Sequence, residues 1–161
     1  MPSIELRTDV LAPKHFKTYN FSGYHPTRFL KVAPNLIKDV FQITEPNTFE
    51  DVLKWDRSSD PIEFYALWRG KDSKDNKSTF WVTVKAMGVQ KAKDKMGKIT
   101  IFVSATLDTN FPYSNSLEKA LITAYAYMYY HKIRRRYIME QKRNMDEFDL
   151  EIKKILGAME G

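Results

Sequence analysis

The residues of this chain that could bind or react cluster near its C-terminus. Residues 121–130, LITAYAYMYY, carry four of the nine tyrosines, and the basic block His131-Lys132-Ile133-Arg134-Arg135-Arg136 follows directly. A helix that is aromatic nearly all round is expected to be buried on more than one face. A tyrosine buried that way needs a partner for its hydroxyl, or a ligand. Arginine and lysine attract phosphates without regard to sequence and in a salt-dependent way. Between His131 and Arg143 six such cations stand against the single acid Glu140. One reading makes Lys132, Arg134, Arg135 and Arg136 a contact for RNA or another anionic partner. The other makes them a solvated helix exterior that pairs with Asp146, Glu147, Asp149 and Glu151. Consecutive helical residues point about 100° apart, so three arginines in a row do not form one flat patch. No zinc-finger, helix-turn-helix or RNP-like pattern accompanies them.

Other chemistry finds little support. His15, His25 and His131 have no second histidine or carboxylate at ligand spacing, so no metal is expected. Asp56 and Asp60 flank Arg57-Ser58-Ser59 ahead of Pro61, which reads as a turn with side-chain-to-backbone bonds. An exposed turn does not push two carboxyl pKa values apart, as paired acid–base catalysis requires. Neither a nucleophile elbow nor a phosphate-cradling glycine loop is present. The chain has no cysteine, which excludes disulfides, thiol catalysis and thiolate metal sites. No catalytic residue and no cofactor is expected.

With 161 residues, 43% of them hydrophobic and 29% charged, the chain reads as a globular protein with a real core. Its net charge of +6 allows anionic partners without requiring them. The longest nearly apolar run, residues 120–130, is too short for a membrane span. The N-terminus lacks the basic and apolar regions of a signal peptide, so a cytoplasmic protein is expected.

Several elements must position these groups. Ile4 to Val10 alternates as a half-buried strand, followed by a loop with Pro13 and Gly23. Pro26 and Pro34 each suit a first helical turn, which predicts two short helices at roughly 26–32 and 34–42. Residues 47–56 are ambiguous. Asn47-Thr48-Phe49-Glu50 resembles a capping box, while 51–56 suits an irregular strand. Three clear strands follow, Ile62 to Arg69, Thr79 to Gln90 and Lys98 to Asp108, joined by polar loops into an antiparallel meander. Gly88 suggests a bulge or bend. A long helix starts near Asn115, which can pair with Glu118, and runs to about 156. Asn144 offers a second cap, so a break near 143 is possible on sequence grounds. Ile138, Met145, Phe148, Ile152, Ile155 and Met159 form a seam suited to a partner helix, such as that of a second copy, or to the protein's own surface.

The fold class is α+β, an antiparallel meander packed on a long C-terminal helix. In its order of elements, from Ile4 to about Arg143, the chain resembles the START-like (SRPBCC) helix-grip superfamily. That resemblance implies a helix-grip domain over residues 1–143, with 144–161 as a helical extension continuous with it or packed on it. It also implies a non-catalytic module holding a small apolar ligand between sheet and helix. Tyr125, Tyr129 and Trp68 would then line the pocket with Phe64 and Val82. Cyclases and hydrolases occur among such proteins, but they need a buried ionisable group facing the cavity, and none stands out here. The chain departs from the pattern in its strand count: three clear strands and one ambiguous one follow the helices, where six are usual. One fold hosts many activities, so the basic helix as a nucleic-acid contact remains the alternative.

Overall fold

The computed structural model describes the backbone of residues 2–160 and the side chains of residues 2–158. Its strands are β1 (Ser3–Asp9), β2 (Lys17–Tyr24), β3 (Thr48–Asp56), β4 (Ile62–Ser73), β5 (Ser78–Gln90) and β6 (Met96–Pro112). Its helices are α1 (Arg28–Phe41), α2 (Ser116–Tyr125) and α3 (His131–Glu160), with a π-helical turn, Ala126–Tyr130, joining the last two. All pairings are antiparallel, in the order β1-β6-β5-β4-β3. β2 also pairs with β6, opposite its first half, while β1 lies opposite its second half. β1 and β2 are therefore two pieces of one interrupted edge strand laid along the longest strand of the sheet.

The period of two read from the sequence sets the faces of the sheet. Phe64, Ala66 and Trp68 on β4, Phe80, Val82, Val84 and Ala86 on β5, and Ile99, Ile101, Val103, Ala105 and Leu107 on β6 are all buried on one side. α1 and the second half of α3 cover that side. Tyr19 and Phe21 join it from β2, a strand where a loop is expected from sequence because only two apolar residues mark it. The ambiguous segment is a strand from Thr48 to Asp56, with a register shift between Glu50 and Val52. The expected capping box is not used: a short 3₁₀ turn, Glu45–Asn47, leads into β3, and Thr48 pairs with Gly70.

The expected helix pair is one helix. Pro34 lies inside α1. An interior proline costs about 3 kcal/mol through its lost hydrogen bond and ring clash. Phe29, Ala33, Leu36, Ile37, Val40 and Phe41 are all buried on the same helix. Burying a large apolar side chain contributes roughly 1.5–3 kcal/mol, so a continuous apolar face outweighs one misfit. Gly88 sits in unbroken register opposite Ile99, with no bulge in the β5–β6 pairing. Its glycine is required by close approach: a Cβ there would collide with the Lys98 carbonyl and the Phe64 ring.

The C-terminal helix runs through residue 144 without a break. Asn115 caps it as expected, accepting from the Glu118 N–H at 2.8 Å. Asn144 does not act as a cap; its side-chain amide donates to Gln141 Oε1. Met145, Phe148, Ile152 and Leu156 are buried in the main core, so most of the seam packs on the protein's own sheet and α1. The Met159 side chain lies outside the described residues. A smaller cluster of Phe111, Ala126 and Tyr130, flanked by Ile4, Leu6, Ile122 and Ile133, holds the start of the helix to β1 and the end of β6.

Candidate docking surface

The helix meets the body through Ile122, Ala126, Tyr130, Arg134, Tyr137, Gln141 and Met145. The first four are spaced by four residues each. On a helix of 3.6 residues per turn, each step of four overshoots a full turn by about 40°. Three such steps would swing the contact face well round the axis. The π turn, with its wider i→i+5 bonding, takes up that excess and keeps the four on one side.

Polar contacts then fix the helix. Tyr130 donates to Asp75 at 2.7 Å and shares a second 2.7 Å bond with Ser78, whose hydroxyl also meets Thr109. Tyr137 donates to the same carboxylate at 2.9 Å, and the N–H groups of Lys77 and Ser78 complete its shell. Partial burial works to raise the Asp75 pKa. The bonds from Tyr130, Lys77, Ser78 and Tyr137 outweigh it and hold the carboxyl below its ordinary value. Burial, assisted by the Asp75 carboxylate, pushes the Tyr130 phenol up. An acid held ionised and a phenol held neutral, each saturated with protein partners, brace a fold and do not exchange protons near neutrality.

Arg134 belongs to this bracing. Its Nε donates to Thr109 at 2.7 Å, and its terminal nitrogen donates to the carbonyls of Leu6 and Leu107. The sequence reading grouped Arg134 with Lys132, Arg135 and Arg136 as a surface contact. The structure corrects that: Arg134 points inward across β1 and β6, while the other three face solvent. With Met139 and Arg143 those three border a shallow groove of about 480 Å³. The acidic segment does not neutralise them. Asp146 lies 4.0 Å from Lys17, Asp149 binds Tyr19 and Lys153, and Glu151 binds Lys154.

The five pocket residues do not meet. Trp68, Phe64 and Val82 are buried in the main core, where Trp68 packs on Phe29. Tyr125 and Tyr129 stack on each other outside it, and Tyr125 also touches Phe111 and Tyr130. The space between sheet and helix is taken by α1 and by Met145, Phe148 and Ile152. The aromatic run sits in the first third of the helix, ahead of the main core, where Ile122, Ala126 and Tyr130 turn towards β1 and β6. Only Ala126 and Tyr130 of the segment 120–130 are buried. Leu117, Leu121, Tyr125, Tyr127, Met128 and Tyr129 are between 46% and 72% exposed. Monomeric proteins rarely leave so many large apolar side chains together in water without a use for them.

Sequence reasoning missed Asp75, Ser78 and Thr109 as partners of the tyrosines. Asp75 lies in one of the polar loops of the meander, and nothing local marks a loop that folds back under a helix. Among the described residues, no group of histidines and carboxylates could hold a metal ion. No described helix is long and apolar enough to cross a membrane.

The molecule is thus an α+β protein of one antiparallel sheet and a long C-terminal helix whose leading end is bare. No family model matches the chain, and no curated protein matches it. Among solved structures, a protein of unknown function from Staphylococcus aureus aligns with 98% of this chain and 95% of its own, at 9% identity and a TM-score of 0.29. An uncharacterised protein from Rhizobium leguminosarum aligns with 96% of this chain and 99% of its own, at 9% identity and a TM-score of 0.23. Likenesses of that degree carry no argument about fold or activity.

Proposed function

We propose that this protein is a non-catalytic docking module in which the sheet and α1 form a rigid body that presents one face of the C-terminal helix to an anionic partner. The observation that carries this reading is the continuity of two unsatisfied surfaces on one helix. Exposed Leu117, Leu121 and Met128 lead directly into the solvent-facing Lys132, Arg135 and Arg136. The layout of meander and terminal helix supports kinship with helix-grip proteins. The packed interior favours a surface use of the helix over a ligand held beneath it.

The test is salt-gradient elution from a polyanionic matrix such as heparin. The double variant Arg135→Glu/Arg136→Glu is expected to elute at much lower salt than Lys54→Glu/Lys98→Glu, which carries the same change of charge on the open face of the sheet. Equal shifts would mean that only net charge is felt, and would remove the docking reading.

A further inference from the structure

We infer that the partner of this helix face is an anionic lipid bilayer, an inference that rests on the docking reading above. The face asks for two things at once. Leu117, Leu121 and Met128 are aliphatic and need an apolar layer; the phosphates and stacked bases of a nucleic acid would leave them wet. The basic residues that continue the face need anions. Lys132, Arg135, Arg136 and Arg143 make no ion pair among the described residues. The two acids within residues 117–143 are already engaged, Glu118 with Ser114 and Glu140 with Lys74.

A bilayer interface supplies both layers to a helix lying along it, with apolar side chains below the headgroups and cations among them. Tyrosines are favoured at that boundary, and Tyr127 and Tyr129 flank the apolar side chains here. The face encloses no cleft, since the groove bordered by Lys132, Arg135 and Arg136 is shallow and open, and so suits a deformable surface. It ends at Asp146 and Glu147, about 28 Å beyond Met128 at 1.5 Å rise per residue, so contact is confined to the leading part of the helix.

Vesicle flotation tests this directly. The full chain is mixed with vesicles of phosphatidylcholine alone, or of phosphatidylcholine and phosphatidylglycerol at roughly two to one. Expected is binding to the anionic vesicles at least about tenfold tighter than to the neutral ones, weakening as salt rises. Arg135→Glu/Arg136→Glu and Leu121→Glu/Met128→Glu should each lose about tenfold or more, and Lys54→Glu/Lys98→Glu much less. Leu121→Ser/Met128→Ser replaces the glutamate pair if that pair alters the thermal melt. Tyr127→Trp, read as the difference from wild type, should shift its emission to the blue on anionic vesicles. Three results overturn the lipid assignment. Binding of poly(U), lost in the arginine variant but kept in the leucine–methionine variant, with no vesicle binding, would make the partner a nucleic acid and leave the docking reading standing. A wild-type dimer that Leu121→Glu/Met128→Glu dissociates, again without vesicle binding, would make it a second copy. Binding to none of these probes would sink the lipid assignment and the docking reading together.

Discussion

Tyr130 donates its hydroxyl hydrogen to Asp75 at 2.7 Å, and through that bond the C-terminal helix is tied to the turn between β4 and β5. The two residues are 55 apart in sequence, and Tyr137 and Glu140 of the same helix add bonds to Asp75 and Lys74 of that turn. Tyr130→Phe keeps the ring, which packs edge-on against Phe111, and removes only the hydroxyl. A hydrogen bond to a charged group contributes about 1.5–3 kcal/mol, and Ser78 also loses a partner. Urea denaturation should show a loss of about 2 kcal/mol, with amide exchange in residues 126–137 speeding up more than in β5 and β6.

Acid should loosen the same tie. Asp75 and Asp149 are both partly buried, which works to raise their pKa values, yet hydrogen bonds hold both below the ordinary carboxylate value. Tyr130 leads for Asp75, and Tyr19 with Lys153 for Asp149. A carboxyl whose folded pKa is depressed adds stability that is present above its unfolded pKa of about 3.9. That stability is lost as pH falls through the folded value. Urea midpoints should hold steady from neutral pH to about 5 on this account and fall below about 4. Asp75→Asn should flatten part of that fall; an identical slope in the variant would contradict the assignment.

Adjacent arginines should behave as opposites. Arg134→Ala removes three inward hydrogen bonds to Thr109, Leu6 and Leu107. It should cost about 2–3 kcal/mol in thermal or urea unfolding. Arg135→Ala, on the exposed face, should stay within about 0.5 kcal/mol.

Gln141 is fully buried, and its Nε2 has no hydrogen-bond partner among the described residues. An unsatisfied buried donor costs about 1–3 kcal/mol. Gln141→Met keeps the length and flexibility of the side chain while removing that group. Asn144, whose amide then loses its acceptor, is only partly buried and has water within reach. The urea midpoint should rise, by about 1–2 kcal/mol in stability.

The sheet could be read from sequence wherever apolar residues alternated for five positions or more, as at Ile99 to Leu107, because one face met the core and the other did not. Tyr19 and Phe21 were too few to carry that pattern. Pro34 misled because local backbone cost was visible in the sequence while the burial that overrides it depends on the tertiary fold. The tyrosines misled more deeply. Periodicity reports that Tyr125 and Tyr129 could be buried, but not whether any sheet lies opposite them. The leading end touches β1 and β6 through Ile122, Ala126 and Tyr130, and nothing in the local sequence records that this contact face passes Tyr125 and Tyr129 by. Arg134 is the converse case. The same composition that marked it as surface also let it reach strand carbonyls, and only its place on the contact face decides which happens.

The π turn has a consequence for how this helix tolerates change in length. In an ordinary helix, deleting a residue rotates everything downstream by about 100° and pulls the buried side chains off their partners. Here the turn at residues 126–130 already holds one residue more than an α-helical turn needs. Removing one exposed residue there, such as Met128, would convert the turn to regular α-helix and leave Ile122 and Arg134 on the same side as before. Loss of a residue a few turns later, between Tyr137 and Met145, would throw Phe148 and Ile152 out of the core. The chain thus carries slack at a defined point, and length variation in this helix should be survivable there and ruinous further on.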